Sequence, residues 1–261
     1  MRTYKNSSQI HLWLERSIDC IVTLICWAWF LFGFILFFSW RYLLTALVVK
    51  DPEQAFQRFN SQFYRVFFRI VKATAPRQQI EIDEKVAAIR SSVIVCNHLS
   101  YLDPLLLIAL FQQQRTIVKT RFFKIPIFGW IITRAGYLPA TSEGQFAQLM
   151  IKQMDSMVPY LKAGGNLFVF PEGTRSRDGK LGNLNRGAFK IARICRAPIY
   201  VLEIRNTDKL FTPGKFLFNT RMKNTISVKI IDCIEPDYQQ NPPSIADLES
   251  RVRQAYCERQ K

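Results

Sequence analysis

The chain has 261 residues, 49% of them hydrophobic and 13% aromatic, with 21 phenylalanines. That supports one substantial core plus an appendage and argues against a disordered chain. The net charge of +16 demands an acidic partner, whereas six scattered cysteines and two histidines argue against a zinc site and leave reduced thiols as the default.

Residues 1–15 form a short polar lead. From Cys20 to Trp40 there are 21 consecutive positions without a charge, and after Arg41 the apolar run resumes to Val49. This predicts an anchor over about residues 17–49, long enough to cross or deeply enter a bilayer. The run is too long and too Trp-rich for a cleaved signal peptide, and Arg41 follows it instead of a small-residue cleavage site. A membrane surface is therefore a better partner for the positive charge than nucleic acid.

Asp51-Pro52 resembles a helix start. Beyond it, Phe56, Phe59, Phe63, Val66, Phe67 and Ile70 recur at helical spacing, with Arg58, Arg65, Arg69 and Lys72 on another side. This basic amphipathic helix has two readings: its Phe stripe packs on the following domain, or its cations meet anionic headgroups. Residues 1–75 are assigned to the anchor and this helix, and 76–261 to a separate domain.

From about residue 77 short strands and helices alternate. Strands are expected at 79–82, 93–96, 116–119, 137–139, 167–170, 199–204 and 226–234. Helices are expected at 105–111, at 122–134 with a break, at 143–162 with a kink at Pro159, at 188–195, and from Ser244 to about 258. Gly164-Gly165 suits the C-terminal cap of the long helix at 143–162. Alternation of this kind implies a sheet with helices over its faces.

Two stretches carry chemistry. The apolar strand at 93–96 runs into Asn97-His98-Leu99-Ser100-Tyr101-Leu102-Asp103. A histidine can take a hydroxyl proton near neutral pH, and a carboxylate on its far ring nitrogen fixes the tautomer. A loop-to-helix turn can bring Asp103, five residues on, against His98. The plainer alternative makes Asp103 an N-cap before Pro104 and Cys96 a buried structural thiol. The second stretch, Phe170-Pro171-Glu172-Gly173-Thr174-Arg175-Ser176, follows another strand. Gly173 allows close backbone approach, and Arg175 can hold a phosphate with two hydrogen bonds. Glu172 either orients the arginine or contacts an acceptor, unless this is a solvated turn with a local salt bridge. Together the stretches suggest activation of a hydroxyl on a phosphate-bearing acceptor.

In this order and separation, the motifs resemble the glycerolipid acyltransferase family, which includes bacterial 1-acylglycerol-3-phosphate acyltransferases. The first motif matches Asn97, His98, Ser100 and Asp103, and the third matches Phe170 through Ser176. The second is matched in part by Lys119, Phe123-Lys124, Pro126, Gly129-Trp130 and Gly136. The fourth resembles Ala197-Pro198-Ile199-Tyr200-Val201. The resemblance covers roughly residues 75–235.

It implies a glycerol-3-phosphate acyltransferase-like α/β fold, a mixed, mostly parallel sheet flanked by helices, with N-terminal membrane-embedded helices. His98 would be the general base and Asp103 its partner. Glu172, Gly173, Thr174 and Arg175 would bind the acceptor's phosphate end, with Lys119 near the site. The donor would be acyl-CoA or acyl carrier protein, with no metal or other cofactor, and the acceptor a lysophospholipid. The place would be a bacterial inner membrane, with the catalytic domain on the cytoplasmic side as the heavier run of basic residues after the anchor suggests. One departure stands out. Members acting on lysophosphatidic acid commonly carry an arginine six residues after the glycine matching Gly136, where this chain has Ser142. Loss of one charge-assisted contact costs about 1.5–3 kcal/mol, which keeps open other acceptors such as a lyso-ornithine lipid. A non-catalytic lipid-binding protein is the alternative of another class. A thioesterase or lipase is the third, weakened by the absence of a Gly-x-Ser-x-Gly elbow.

Overall fold

The computed structural model describes residues 16–141, 143–175 and 182–259. Seven strands form one sheet: β1 (Gln78–Ile82), β2 (Val93–Cys96), β3 (Gln114–Val118), β4 (Leu138–Pro139), β5 (Asn166–Val169), β6 (Ile199–Arg205) and β7 (Asn224–Ile234). Their order is β1-β7-β6-β2-β5-β3-β4. Every neighbouring pair is parallel except β6 and β7, so the expected mixed, mostly parallel sheet is present.

β2 lies inside the sheet, and all four of its residues are buried. Alternation sends Ile94 and Cys96 into one core and Val93 and Val95 into the other. The first core is covered by α1 (Arg16–Val48), α2 (Glu53–Thr74) and α3 (Leu102–Leu110). The short helices α4 (Thr120–Phe123) and α5 (Phe128–Arg134) close its end near β3. The second core is covered by α6 (Ala147–Asp155), α7 (Met157–Lys162), α8 (Gly187–Cys195) and α10 (Ile245–Arg259); α9 (Thr207–Leu210) follows β6.

α1 is the one helix among the described residues long and apolar enough to cross a membrane, with π-type turns over Trp29–Phe38. One face is docked on the domain. Trp29 stacks on Phe63 at 5.2 Å, Phe30 meets Phe67 at 5.0 Å, and Tyr42 meets Phe56 at 4.9 Å. The opposite face exposes Leu31, Phe32, Leu36, Trp40, Leu43 and Leu47. At its start Asp19, buried, accepts from the Thr220 N–H (2.9 Å), the Thr220 hydroxyl (2.6 Å) and Arg221 Nε (2.9 Å). Thr23 Oγ1 accepts from Phe218 N–H at 2.9 Å. These bonds clasp α1 to the segment between α9 and β7. Asp19→Ala is expected to lower stability by about 3 kcal/mol, because buried donors lose their acceptor. Thermal unfolding in detergent reads this, and an unchanged midpoint would show that the clasp is dispensable.

Of the two readings of the Phe stripe, packing is what the structure displays. Phe56, Phe63, Phe67 and Phe68 of α2 are buried in the first core. Arg58, Arg69 and Lys72 remain exposed, but Arg65 turns inward and donates from Nε to Ala109 O at 2.7 Å. The start of α2 is tied to β3 by Arg115, which pairs with both Glu53 oxygens at 2.8 Å.

Three expectations are corrected. The helix over 143–162 is broken at Ser156, not at Pro159. Pro159 lies in the first turn of α7, where its missing N–H has no intrahelical partner to lose. β3 ends at Val118, so Lys119 lies beyond the strand as the residue before α4. α3 begins at Leu102, one turn earlier than expected, and Asp103 lies inside its first turn while Tyr101 takes the cap position.

Candidate active site

β2 delivers the histidine loop to the carboxyl edge of the sheet, and β5, its parallel neighbour, delivers the Glu172 turn beside it. Open α/β sheets commonly bind ligands at this edge. The two strands hold the two motifs in fixed register, with Val93 paired to Leu167 and Val95 to Val169.

His98 Nδ1 lies 2.9 Å from Asp103 Oδ2. The same oxygen accepts from the backbone N–H of Leu99 (2.6 Å) and of Ser100 (2.8 Å). Asp103 is fully buried, whereas the His98 side chain is 16% exposed. A carboxylate surrounded by donors is an acceptor, so Nδ1 carries the proton. That leaves Nε2 with its lone pair, the form a general base needs. The ring is further fixed by Phe170, stacked at a centroid distance of 4.3 Å. The N-cap alternative for Asp103 therefore gives way to a buried partner of His98.

Phe170-Pro171-Glu172-Gly173 forms a tight turn in which Gly173 N–H donates to Phe170 O at 3.0 Å. Proline presets the first central position. Gly173 itself holds φ of +65°, a left-handed value that glycine adopts without strain. The plainer alternative, a solvated turn with a local salt bridge, is not what Glu172 displays. Its Oε1 accepts from the His98 N–H (3.2 Å) and its Oε2 from the Gly182 N–H (3.1 Å), so it fastens the two motif loops together. Burial pushes its carboxyl above the usual glutamate range, and the bonds from Gly182 and His98 oppose the shift.

Arg175 lies half-buried with its guanidinium 3.7 Å from the centre of the Tyr101 ring. Its Nη1 is buried and has no hydrogen-bond partner among the described residues. A guanidinium nitrogen enclosed without an acceptor suits an anionic ligand. Thr174 is exposed beside it. Lys119 is exposed at the carboxyl end of β3, separated from β2 by β5, and enters none of the hydrogen bonds described above. Ser142 and Ser176 lie outside the described residues. Arg134, eight residues before Ser142, stacks over Trp130 at 5.2 Å. Cys96 is fully buried, with its thiol pushed well up by burial and then by Asp103. Among the described residues no three His, Cys, Asp or Glu side chains cluster as metal ligands.

Two contributors were missed in the sequence. Thr207 donates its hydroxyl to Asp103 Oδ1 at 2.5 Å from 104 positions away. Tyr101 supplies the ring under Arg175. Both contacts join segments far apart in the chain, and the only local sign of the first was Asn206-Thr207-Asp208, residue types suited to starting a short helix.

Residues 77–205 match the family model for acyltransferases. A chloroplastic 1-acyl-sn-glycerol-3-phosphate acyltransferase of Arabidopsis thaliana is 35% identical over 183 residues, covering 67% of this chain and 51% of that protein. A Brassica napus counterpart is 36% identical over 122 residues, covering 47% of this chain and 35% of its own length. The chain thus spans about half or less of these plant relatives. The enzyme of the same name from Pseudomonas aeruginosa is 26% identical over 202 residues, covering 72% of this chain and 76% of that one. In fold, the chain is similar to the crystal structure of the 1-acyl-sn-glycerophosphate acyltransferase of Thermotoga maritima. The TM-score is 0.65 at 21% identity, covering 93% of this chain and 97% of that one.

Proposed function

The chain belongs to the acyltransferase family, and from that premise we propose that it moves a fatty acyl group from a thioester to the free hydroxyl of 1-acylglycerol-3-phosphate, giving phosphatidic acid. The observation that carries the reading is the His98–Asp103 bond at 2.9 Å, which leaves Nε2 as a free base. Nε2 takes the hydroxyl proton as the acceptor oxygen attacks the thioester carbonyl. The carbon–sulfur bond breaks, and the imidazolium returns the proton to the departing thiolate. Asp103 stabilises the imidazolium between these steps. No enzyme nucleophile is consumed, because the thioester is already activated. Acyl-CoA and acyl carrier protein both supply such a leaving thiol.

In this reading Arg175 receives the acceptor's phosphate on Nη1, which has no acceptor among the described residues. Glu172 and Gly173 shape the turn that presents it. Arg175→Ala is expected to raise the acceptor's KM about ten- to hundredfold, the equivalent of one charge-assisted contact, with little effect on the donor's KM. An unchanged acceptor dependence would remove Arg175 from the phosphate site.

The protein would work at a membrane surface. The outward face of α1 is apolar along its length, and two segments at the carboxyl edge of the sheet add to it. Ile125, Ile127 and Phe128 precede or open α5, and Phe216, Leu217 and Met222 lie between α9 and β7. Trp27 of α1 stacks on Phe216 at 5.9 Å, which makes one of these segments continuous with the helix. Exposed Arg58, Arg69 and Lys72 favour an anionic, cytoplasmic leaflet. The acceptor and its tail would enter from lipid and the thioester from water.

The test is acyl transfer by purified protein from labelled acyl-CoA and acyl carrier protein to a panel of lysolipids. Preference for lysophosphatidic acid is expected. A preference for a phosphate-free acceptor such as a lyso-ornithine lipid would reassign the substrate, and no transfer to any acceptor would overturn the enzymatic reading.

A further inference from the structure

The two oxygens of Asp103 are held differently. Oδ2 collects its donors locally, from His98 Nδ1, Leu99 N–H and Ser100 N–H. Oδ1 is met by a hydroxyl from the first residue of α9, just past β6: Thr207 Oγ1 at 2.5 Å. Thr207 is fully buried, so water cannot stand in for that hydroxyl.

The corner carrying Thr207 is fastened to the histidine loop on both sides. Asn97 brackets Ile204, donating to its carbonyl (2.8 Å) and accepting from its N–H (2.7 Å). Ser100 Oγ donates to Phe211 O at 2.9 Å. Between them Asn206 holds φ of +64°, a left-handed turn that asparagine tolerates better than most side chains. Its Nδ2 donates to Thr225 O (2.8 Å), and its carbonyl accepts from Asn224 Nδ2 (3.0 Å). This fastening directs one threonine hydroxyl at one carboxylate oxygen.

We propose that Thr207 is a positioning residue for the acyl transfer. Its bond stops the Asp103 carboxylate from rotating, keeps Oδ2 on His98 Nδ1, and so holds the base in its reactive tautomer and orientation. The proposal rests on His98 being the base. Thr207 touches neither substrate, so its loss acts on kcat and leaves substrate affinity alone.

Thr207→Val keeps the shape and removes the donor, and Thr207→Ser keeps the donor. Valine is expected to lower kcat about tenfold, near 1.4 kcal/mol at the transition state, with both KM values unchanged. Serine is expected to restore most of the rate. Thr207→Cys, a weak donor of similar shape, should fall between them and serves if the valine protein fails to fold. Proton NMR of the His98 ring N–H gives a readout without turnover: its downfield signal should move in the valine variant and persist with serine. Equal rates and an unmoved signal in the valine or cysteine variant would overturn the proposal. So would a serine variant as impaired as valine, because that would mean a packing role. Wild-type protein that shows the ring signal but transfers no acyl group would instead refute the enzymatic reading.

Discussion

His98→Ala is expected to lower acyl transfer about 10²- to 10⁴-fold, the range associated with a positioned general base, while the protein stays folded and keeps its membrane association. The local bonds explain why the two effects separate. The imidazole stacks on Phe170 and is partly exposed, so its removal opens space at the edge of the site and leaves both cores intact. The His98 N–H that donates to Glu172 belongs to the backbone and survives. Asp103 loses one donor but keeps Leu99 N–H, Ser100 N–H and the Thr207 hydroxyl. Initial rates with a labelled donor, set beside the thermal midpoint and vesicle co-sedimentation, check all three statements. Normal turnover would sink the assignment of His98 as base. A parallel loss of fold and rate would make the variant uninformative about chemistry, and a glutamine at 98, which keeps polarity and bulk, would then take its place.

Much of the molecule was legible in the sequence because its signals are local. β2 and β5 are short apolar runs bounded by turn residues, and both came out as strands buried on two faces. His98 and Asp103 lie five apart across a strand-to-helix turn, so spacing allowed the pair, the family resemblance implied it over the N-cap alternative, and the bond at 2.9 Å is there. The errors arose where distant contacts decide. Arg65 follows the spacing of the basic face, yet the carbonyl of Ala109 draws it inward. Glu172 lies three positions before Arg175, and nothing local shows that the parallel pairing of β2 with β5 puts its carboxylate on the His98 backbone. Thr207 was invisible because α9 spans only Thr207–Leu210, too short for any hydrophobic period. The helix break at Ser156 shows the same limit. A proline is an easily read breaker, but in a first turn it is tolerated, and its place relative to the cap is a structural fact.

Asp103 is where stability and chemistry meet, and its two obvious substitutions are expected to part company. Asp103→Ala removes the acceptor of two fixed backbone N–H groups, one hydroxyl and one ring N–H, all at a fully buried position. Unpaired buried donors of this kind should cost about 3–5 kcal/mol of stability, with activity at or below the His98→Ala level. Asp103→Asn has one acceptor oxygen and one NH2 group, and the neighbours dictate which goes where. Leu99 N–H and Ser100 N–H cannot turn away, so the amide oxygen must take the Oδ2 place. The NH2 then faces Thr207, whose hydroxyl can rotate to accept. His98 keeps an acceptor at Nδ1, so its reactive tautomer survives, and what is lost is the negative charge opposite the imidazolium. The asparagine protein should therefore fold with a thermal midpoint close to wild type and lose about 10²-fold in kcat, short of the roughly 10⁴-fold seen where such a substitution also inverts the tautomer. Thermal unfolding and kcat measured on both variants decide the matter. A kcat loss for asparagine as deep as for alanine, with the fold intact, would mean that the amide has flipped and that the two backbone donors do not govern it.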